Sequence, residues 1–377
     1  MNKRSFFLPI LLLLLLANCA GPKSLVQRTT ENGVEVVLNH LSPYPAGRVR
    51  GMTLERLFSI DTESAEIRDA GLPDIFGFDV DSQGRIFVLR TEKGEGPFFF
   101  LFDDQGRFLK SFGRKGQGPG ELQFPRFLAL DDLDRVLIHD NGSLSRFDKD
   151  GNFLAAEALV DPGPVQCGPG GDLLLKSTSM NPEGEKVILS STIMRLGADN
   201  RAQEALDSYR IAIKPDEINP IEPSFWAAAS RERTFVANES RGYEIRVYDR
   251  NGSLVRIIRK DYQPVPVSEA YREKTIKLFG PRFKDRLNFP KNHAPFQSLT
   301  ADKNGRLLVA TFEPGDKPGE FLYDIFDEDG VFVARKSLNA VIWEGSLWAR
   351  MKADKFYCLQ EKEDGFKEIV AYRLKWE

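Results

Sequence analysis

The chain has 377 residues, with 52 Lys and Arg against 55 Asp and Glu, a formal net charge of −3. A mildly acidic balance gives no global electrostatic reason to bind nucleic acid. Length alone allows one large domain or two to three small ones.

The first element is a targeting segment. Lys3 and Arg4 form a basic start, and Phe6 to Leu16 is an apolar run of 11 residues, interrupted by Pro9. That run is too short to span a bilayer and has the length of a signal peptide core. The following Leu16-Ala17-Asn18-Cys19 resembles a bacterial lipobox, although Gly, Ala or Ser usually stands where Asn18 does. The resemblance implies that residues 1–18 are removed and that Cys19 carries lipid, including palmitate, as residue one of the mature chain. Loss of Lys3 and Arg4 then moves the net charge to −5. Ala20, where an Asp would retain a lipoprotein in the inner membrane, favours the outer membrane of a Gram-negative envelope. Residues 19–48, with the short stretch ENGVEVVLN, read as a leader or tether.

Beyond residue 48 the chain repeats itself. FDDQGRFLKSF at 102, FDKDGNFLAAE at 147, YDRNGSLVRII at 248 and FDEDGVFVARK at 326 share one pattern: aromatic, Asp, two mostly polar residues, Gly, one variable residue, alternating apolar run. Gly after a polar pair supplies positive φ, and Asp can bond its own turn backbone. Interleaved with these are FDVDSQGRIFVL at 78, LALDDLDRVLIH at 128 and LTADKNGRLLVA at 299. Weaker copies start at Cys167, Ala228 and Ala349. Turn glycines Gly84 and Gly106 are 22 apart, and Gly106 and Gly151 are 45 apart. Four short strands per unit of roughly 40 to 50 residues predict β-propeller blades.

Five complete units start near Phe76, Phe127, Val165, Phe225 and Gln297, and a sixth near Leu347 has only three strands before the chain ends. MTLERLFSI at 52–60 looks like the missing fourth strand. The expectation is an all-β fold: a six-bladed propeller of four-stranded antiparallel blades over residues 49–377. An N-terminal strand closes the ring and removes its open edges, and one helical insertion, capped by Ser268, lies near 268–280.

The glycine-rich stretch GRKGQGPGEL at 113–122 invites comparison with phosphate loops. It lacks Gly-Lys-Ser/Thr, and a β pattern rather than a helix follows it, so neither a Walker loop nor a dinucleotide fingerprint fits. Gly113, Gly116, Gly118, Pro119, Gly120, Glu121, Leu122 and Pro125 resemble instead the blade junction of NHL-repeat propellers. With the signal and the six units, the chain is similar to six-bladed propeller lipoproteins of bacteria. That resemblance implies a fold more firmly than an activity.

Strand order puts the a–b and c–d turns on one face and the b–c and d–a connections on the other. The second group includes STSMNPEGEK, KPDEINPIEP, EPGDKPGE and the long segment from Asp261 to Phe296. Long irregular segments are often functional. Residues 268–293 carry seven Lys and Arg against three acids. Arg114, Lys115, Arg126, His139, Arg282, Arg286 and His293 are therefore candidate contacts for an acidic small molecule or glycan, or for an envelope protein. The plain alternative is a solvated basic helix.

No HExxH, GxSxG or Cys–His cluster occurs. The turns FDKDG and FDEDG lack the closing Glu of a calcium loop: with Asp148 or Asp327 as position one, position twelve is Leu159 or Leu338. Some six-bladed propellers are lactonases that hold a metal with scattered Glu, Asn and Asp. Asn141, Asn238 and Glu239 are the candidates for a divalent ion such as calcium. Cys167 and Cys358 are read as buried thiols in distant blades, with one disulfide as the alternative. The expected function is a non-catalytic, lipid-anchored binding or scaffolding module with no cofactor and no catalytic residue. The alternative is a metal-dependent hydrolase or lyase at the channel mouth.

Overall fold

The computed structural model describes residues 26–44, 52–90, 96–159, 161, 163–197, 200–221, 223–338, 349–362 and 365–377. Lys3, Arg4 and Cys19 lie outside the described residues. Six antiparallel sheets form a ring, each with strands a to d from the channel outward. The innermost strands are Ile75–Val80, Pro125–Leu130, Val165–Cys167, Phe225–Ala229, Ser298–Ala301 and Ala349–Lys352, in blades 1 to 6.

The expected closure is present. Met52–Asp61 is strand d of blade 6 and pairs antiparallel with Lys367–Trp376, Ile60 opposite Ile369 and Ser59 opposite Val370. No blade of the ring is left a strand short.

Burial explains why the b strands read as unbroken apolar runs. Ile86–Arg90, Val136–Asp140 and Thr234–Asn238 are buried at every position. Each sheet is sandwiched between two others, so both faces of the pleat are dry. In Val136–Asp140, Val136 and Ile138 join the core shared with blade 1, while Leu137 joins the core shared with blade 3. The six apolar clusters correspond one to one with the six blade interfaces.

The Asp-containing turns are hairpins held by their own side chains. Asp103 Oδ1 accepts the backbone N–H of Gln105 and of Arg107, both at 2.9 Å. Asp81, Asp103, Asp131 and Asp302 also hold the Arg four residues on through Nε, at 2.6 to 2.8 Å. The turn glycines have a second duty. A Cβ on Gly106 would stand 2.5 Å from the Phe58 ring, one on Gly151 2.8 Å from Phe112, and one on Gly330 2.7 Å from Ile258. Each glycine of a c–d turn lets strand d of the preceding blade lie against it.

Two segments differ from the reading of loops and leader. STSMNPEGEK belongs mostly to a long hairpin, Leu173–Glu183 paired with Lys186–Leu196; paired strands satisfy the backbone that a loop would leave to water. Val26–Glu31 and Val34–Asn39, within the stretch read as a leader, form a hairpin whose second strand pairs parallel with strand d of blade 4, Leu254–Lys260. Buried Asn39 clips that hairpin in place. Its Nδ2 donates to Arg259 O (3.2 Å) and Gly330 O (3.0 Å), and its Oδ1 accepts Phe332 N–H (2.8 Å).

The insertion between blades 4 and 5 carries helix α2, Glu269–Phe279, with Ser268 Oγ accepting Tyr271 N–H at 3.2 Å. It lies on the long-loop face, where Ile218 and Leu287 pair. A five-residue helix α1 at Ala65–Asp69, not anticipated from the sequence, follows the closing strand.

Candidate functional site

The principal cavity is the central channel, about 560 Å³, within the range of small-molecule sites. Its mouth is built from a–b turns and the strand ends beside them: Ser82, Asp132, Asp134, Arg231, Lys303 and Lys352. The inner strands of blades 4 to 6 supply its depth, with Trp226, Thr300 and Met351 among the lining residues. The cavity therefore opens on the short-turn face, opposite the loops singled out from the sequence.

The mouth is electrically divided. Acids come from blades 1 and 2, bases from blades 4 to 6. Most of the acids are committed to structure. Asp79 accepts Arg350 Nε (2.9 Å) and the backbone N–H of Val80 and Leu130. Asp131 holds Arg135, and Asp134 accepts Ser82 N–H at 2.8 Å. Among the described residues Asp132 has only the Cys167 thiol, 3.9 Å away, as a side-chain partner. Across the channel Arg231, Lys303 and Lys352 make no ion pair among the described residues. A short turn holds its backbone rigidly while leaving such long side chains free to reach a ligand.

Cys167 is the one cysteine of the lining. Burial, reinforced by the Asp132 and Asp131 carboxylates, pushes its thiol up to about 12, so it stays protonated and weakly nucleophilic at neutral pH. Cys358, on strand b of blade 6, is fully buried, and both thiols are free. No histidine lines the cavity.

None of the residues named from the sequence as ligand or metal contacts lines this cavity. Arg114 is exposed, 3.6 Å from Glu121, and Lys115 pairs its backbone with Leu122. Arg126 is exposed at the start of strand a in blade 2. Arg282 lies over the Phe283 ring at 4.7 Å. Arg286 fastens the insertion to the blade 3–4 connection, donating to Asp216 O at 2.9 Å. His293 stacks on Phe312 at 4.3 Å, with Tyr271 edge-on at 4.9 Å, and burial lowers its pKa. His139 is buried, with Nδ1 3.1 Å from Gly163 O; burial lowers its pKa too.

The metal candidates are engaged elsewhere. Asn141 sits in a turn at φ 46° and donates to Gln123 Oε1. Buried Asn238 donates to Ser208 O and caps Ser240. Glu239 accepts Tyr209 OH and Ser224 N–H, both at 3.0 Å. Among the described residues no group of three or more His, Cys, Asp or Glu side chains is placed to hold a metal.

The GRKGQGPGEL stretch holds an anion, but its own. Glu121 Oε2 accepts Gly118 N–H at 3.0 Å, and a Cβ on Gly116 would overlap that carboxylate. What the sequence did not reveal was the mouth itself. Its residues are scattered over six short turns, and only ring closure brings them together.

No family model matches the chain, and no curated protein matches it. Among solved structures it is similar to a protein of Bacteroides fragilis described only as exported, at 11% identity and TM-score 0.51, covering 91% of this chain and 99% of that one. A gluconolactonase from Xanthomonas campestris aligns at 13% identity and TM-score 0.37, covering 86% and 99%. Regucalcin, a calcium-binding protein from Agrobacterium tumefaciens, aligns at 11% and 0.38, covering 81% and 92%. At these identities the likeness is one of fold.

Proposed function

We propose that this is an exported propeller, held to the cell envelope by lipid on Cys19, that binds a small acidic ligand without chemical turnover. Its seat is the short-turn mouth of the channel. The observation that carries this reading is the set of Arg231, Lys303 and Lys352 around a cavity of about 560 Å³, without ion pairs among the described residues. Three uncommitted cations facing one uncommitted carboxylate favour a ligand with at least one acidic group, such as a sugar acid or a dicarboxylate. Asp132 would receive a hydroxyl or ammonium of the same molecule. A protonated Cys167, the absence of histidine from the lining, and carboxylates bound into turns support binding over catalysis. Hydrophobic walls at Leu308 and Met351 would desolvate the ligand's body.

The test is a thermal-shift screen of small sugar acids and dicarboxylates against neutral sugars of the same size, at low and high salt. Stabilisation by acids alone, weakened by salt, supports the reading. Equal stabilisation by neutral sugars would refute it.

A further inference from the structure

We infer that the long-loop face lies on an anionic membrane surface, with the C-terminal end of helix α2 as its principal contact. The inference rests on the lipid-anchored reading of Cys19. Three independent observations point the same way.

The first is register. Val26 pairs with Asn39, and Asn39 in turn with Lys260 at the end of strand d in blade 4. Strand d runs from the short-turn face to the long-loop face, so Val26 enters the fold on the long-loop side. Seven residue steps separate Cys19 from Val26, a reach of at most about 25 Å. An acyl chain on Cys19 therefore holds that face close to the bilayer.

The second is where apolar surface is left uncovered. Among the described residues eleven large apolar side chains are well exposed. Eight belong to the long-loop side, including Leu41, Phe124, Tyr262, Leu278, Phe279 and Phe366. The other three belong to the short-turn side, Leu133 in a turn and Leu109 and Leu154 one residue into the outer strands that follow c–d turns. Leu278 is 73% exposed and is followed by Phe279 at 36%. Water gains nothing from such a face, whereas a lipid interface rewards apolar tips beneath cationic heads.

The third is charge. Lys274, Lys277, Arg282 and Lys284 surround Leu278 and Phe279 in sequence and make no ion pair among the described residues. Residues 274–284 thus carry four cations and no acid, in an acidic chain. Each Lys or Arg held near an anionic leaflet adds to the attraction. A ring docked this way turns its channel mouth away from the membrane, where a soluble ligand can reach it.

The test uses the full lipoprotein reconstituted into phosphatidylcholine vesicles containing phosphatidylglycerol, scored first by flotation. Trp is then introduced as Leu278→Trp or Leu133→Trp, and its emission is measured with brominated lipid, relative to the unsubstituted protein. Loss of emission at 278 and none at 133 is expected. Adding Lys274→Glu, Lys277→Glu and Lys284→Glu to the Leu278→Trp protein should abolish that quenching while flotation and melting persist. A protein that floats but quenches at 133, or at neither position, refutes the docking and leaves the face to another occupant. A protein that does not float has no anchor, and the docking claim falls with it.

Discussion

Glu121 places its carboxylate against the glycine loop of its own chain, accepting the N–H of Gly118 at 3.0 Å. The loop is anion-seeking, as its glycines suggest, but the anion is supplied in cis. Glu121→Ala should cost about 1–2 kcal/mol, since it leaves a partly buried donor without its partner. Gly116→Ala should cost a similar amount by displacing the carboxylate. Made together, the two should cost less than their sum, because both break one contact. Denaturant unfolding of the four proteins checks this; strict additivity would show the contact to be idle.

The close approach of Gly106 to Phe58 gives a second expectation. Gly106 has φ 80°, and any Cβ there meets the Phe58 ring of the closing strand. Gly106→Ala should therefore lower stability by more than the ~1 kcal/mol of a positive-φ penalty alone. Gly33→Ala, at φ 82° with nothing within 4 Å, is the control. Equal losses in the two variants would contradict the packing role.

These glycines show what was legible in the chain. Their spacing revealed the turns, the turns revealed the strands, and a three-stranded last unit pointed to Met52–Asp61. All of those signals are local. The reason Gly106 must be Gly is partly Phe58, 48 positions away in sequence, and nothing local encodes that contact. Nor does anything local announce that Val34–Asn39 pairs parallel with Leu254–Lys260. The cavity was illegible for a related reason. Loop length drew attention to Arg282, Arg286 and His293, whereas Lys303 and Lys352 stand in and beside turns that look plain until the blades meet around one axis.

His139 provides a pH dependence. Burial outweighs the nearby Asp161 and Asp140 carboxylates and holds its folded pKa below the ordinary 6.5. Above pH 6.5 the ring is neutral in both states and contributes nothing to pH dependence. Below it the unfolded chain takes up a proton that the folded chain resists, so stability falls until the folded pKa is reached and then levels off. His293 has the same sign. His139→Asn should remove part of the decline below pH 6.5 without altering the slope above it. An unchanged acid limb would contradict the assignment.

Cys167 should react slowly. With its thiol pushed up to about 12, alkylation by iodoacetamide should keep rising steeply to the alkaline limit at which the fold survives. Asp132→Asn removes one of the charges that raise it and should speed the reaction. A rate that levels off near pH 8 would mean an activated thiol and would reopen the question of catalysis.

The central claim is that an acidic ligand sits at the short-turn mouth. It is tested most directly by titration calorimetry with whichever small acid the screen selects, on two charge-reversed proteins. One carries Lys303→Glu and Lys352→Glu, the other Arg282→Glu and Arg286→Glu. The account predicts that the first loses binding by at least about tenfold per reversed contact, roughly 1.4 kcal/mol each, while the second binds as the unaltered protein does. Binding lost in the second and kept in the first would place the ligand on the long-loop face and contradict the account.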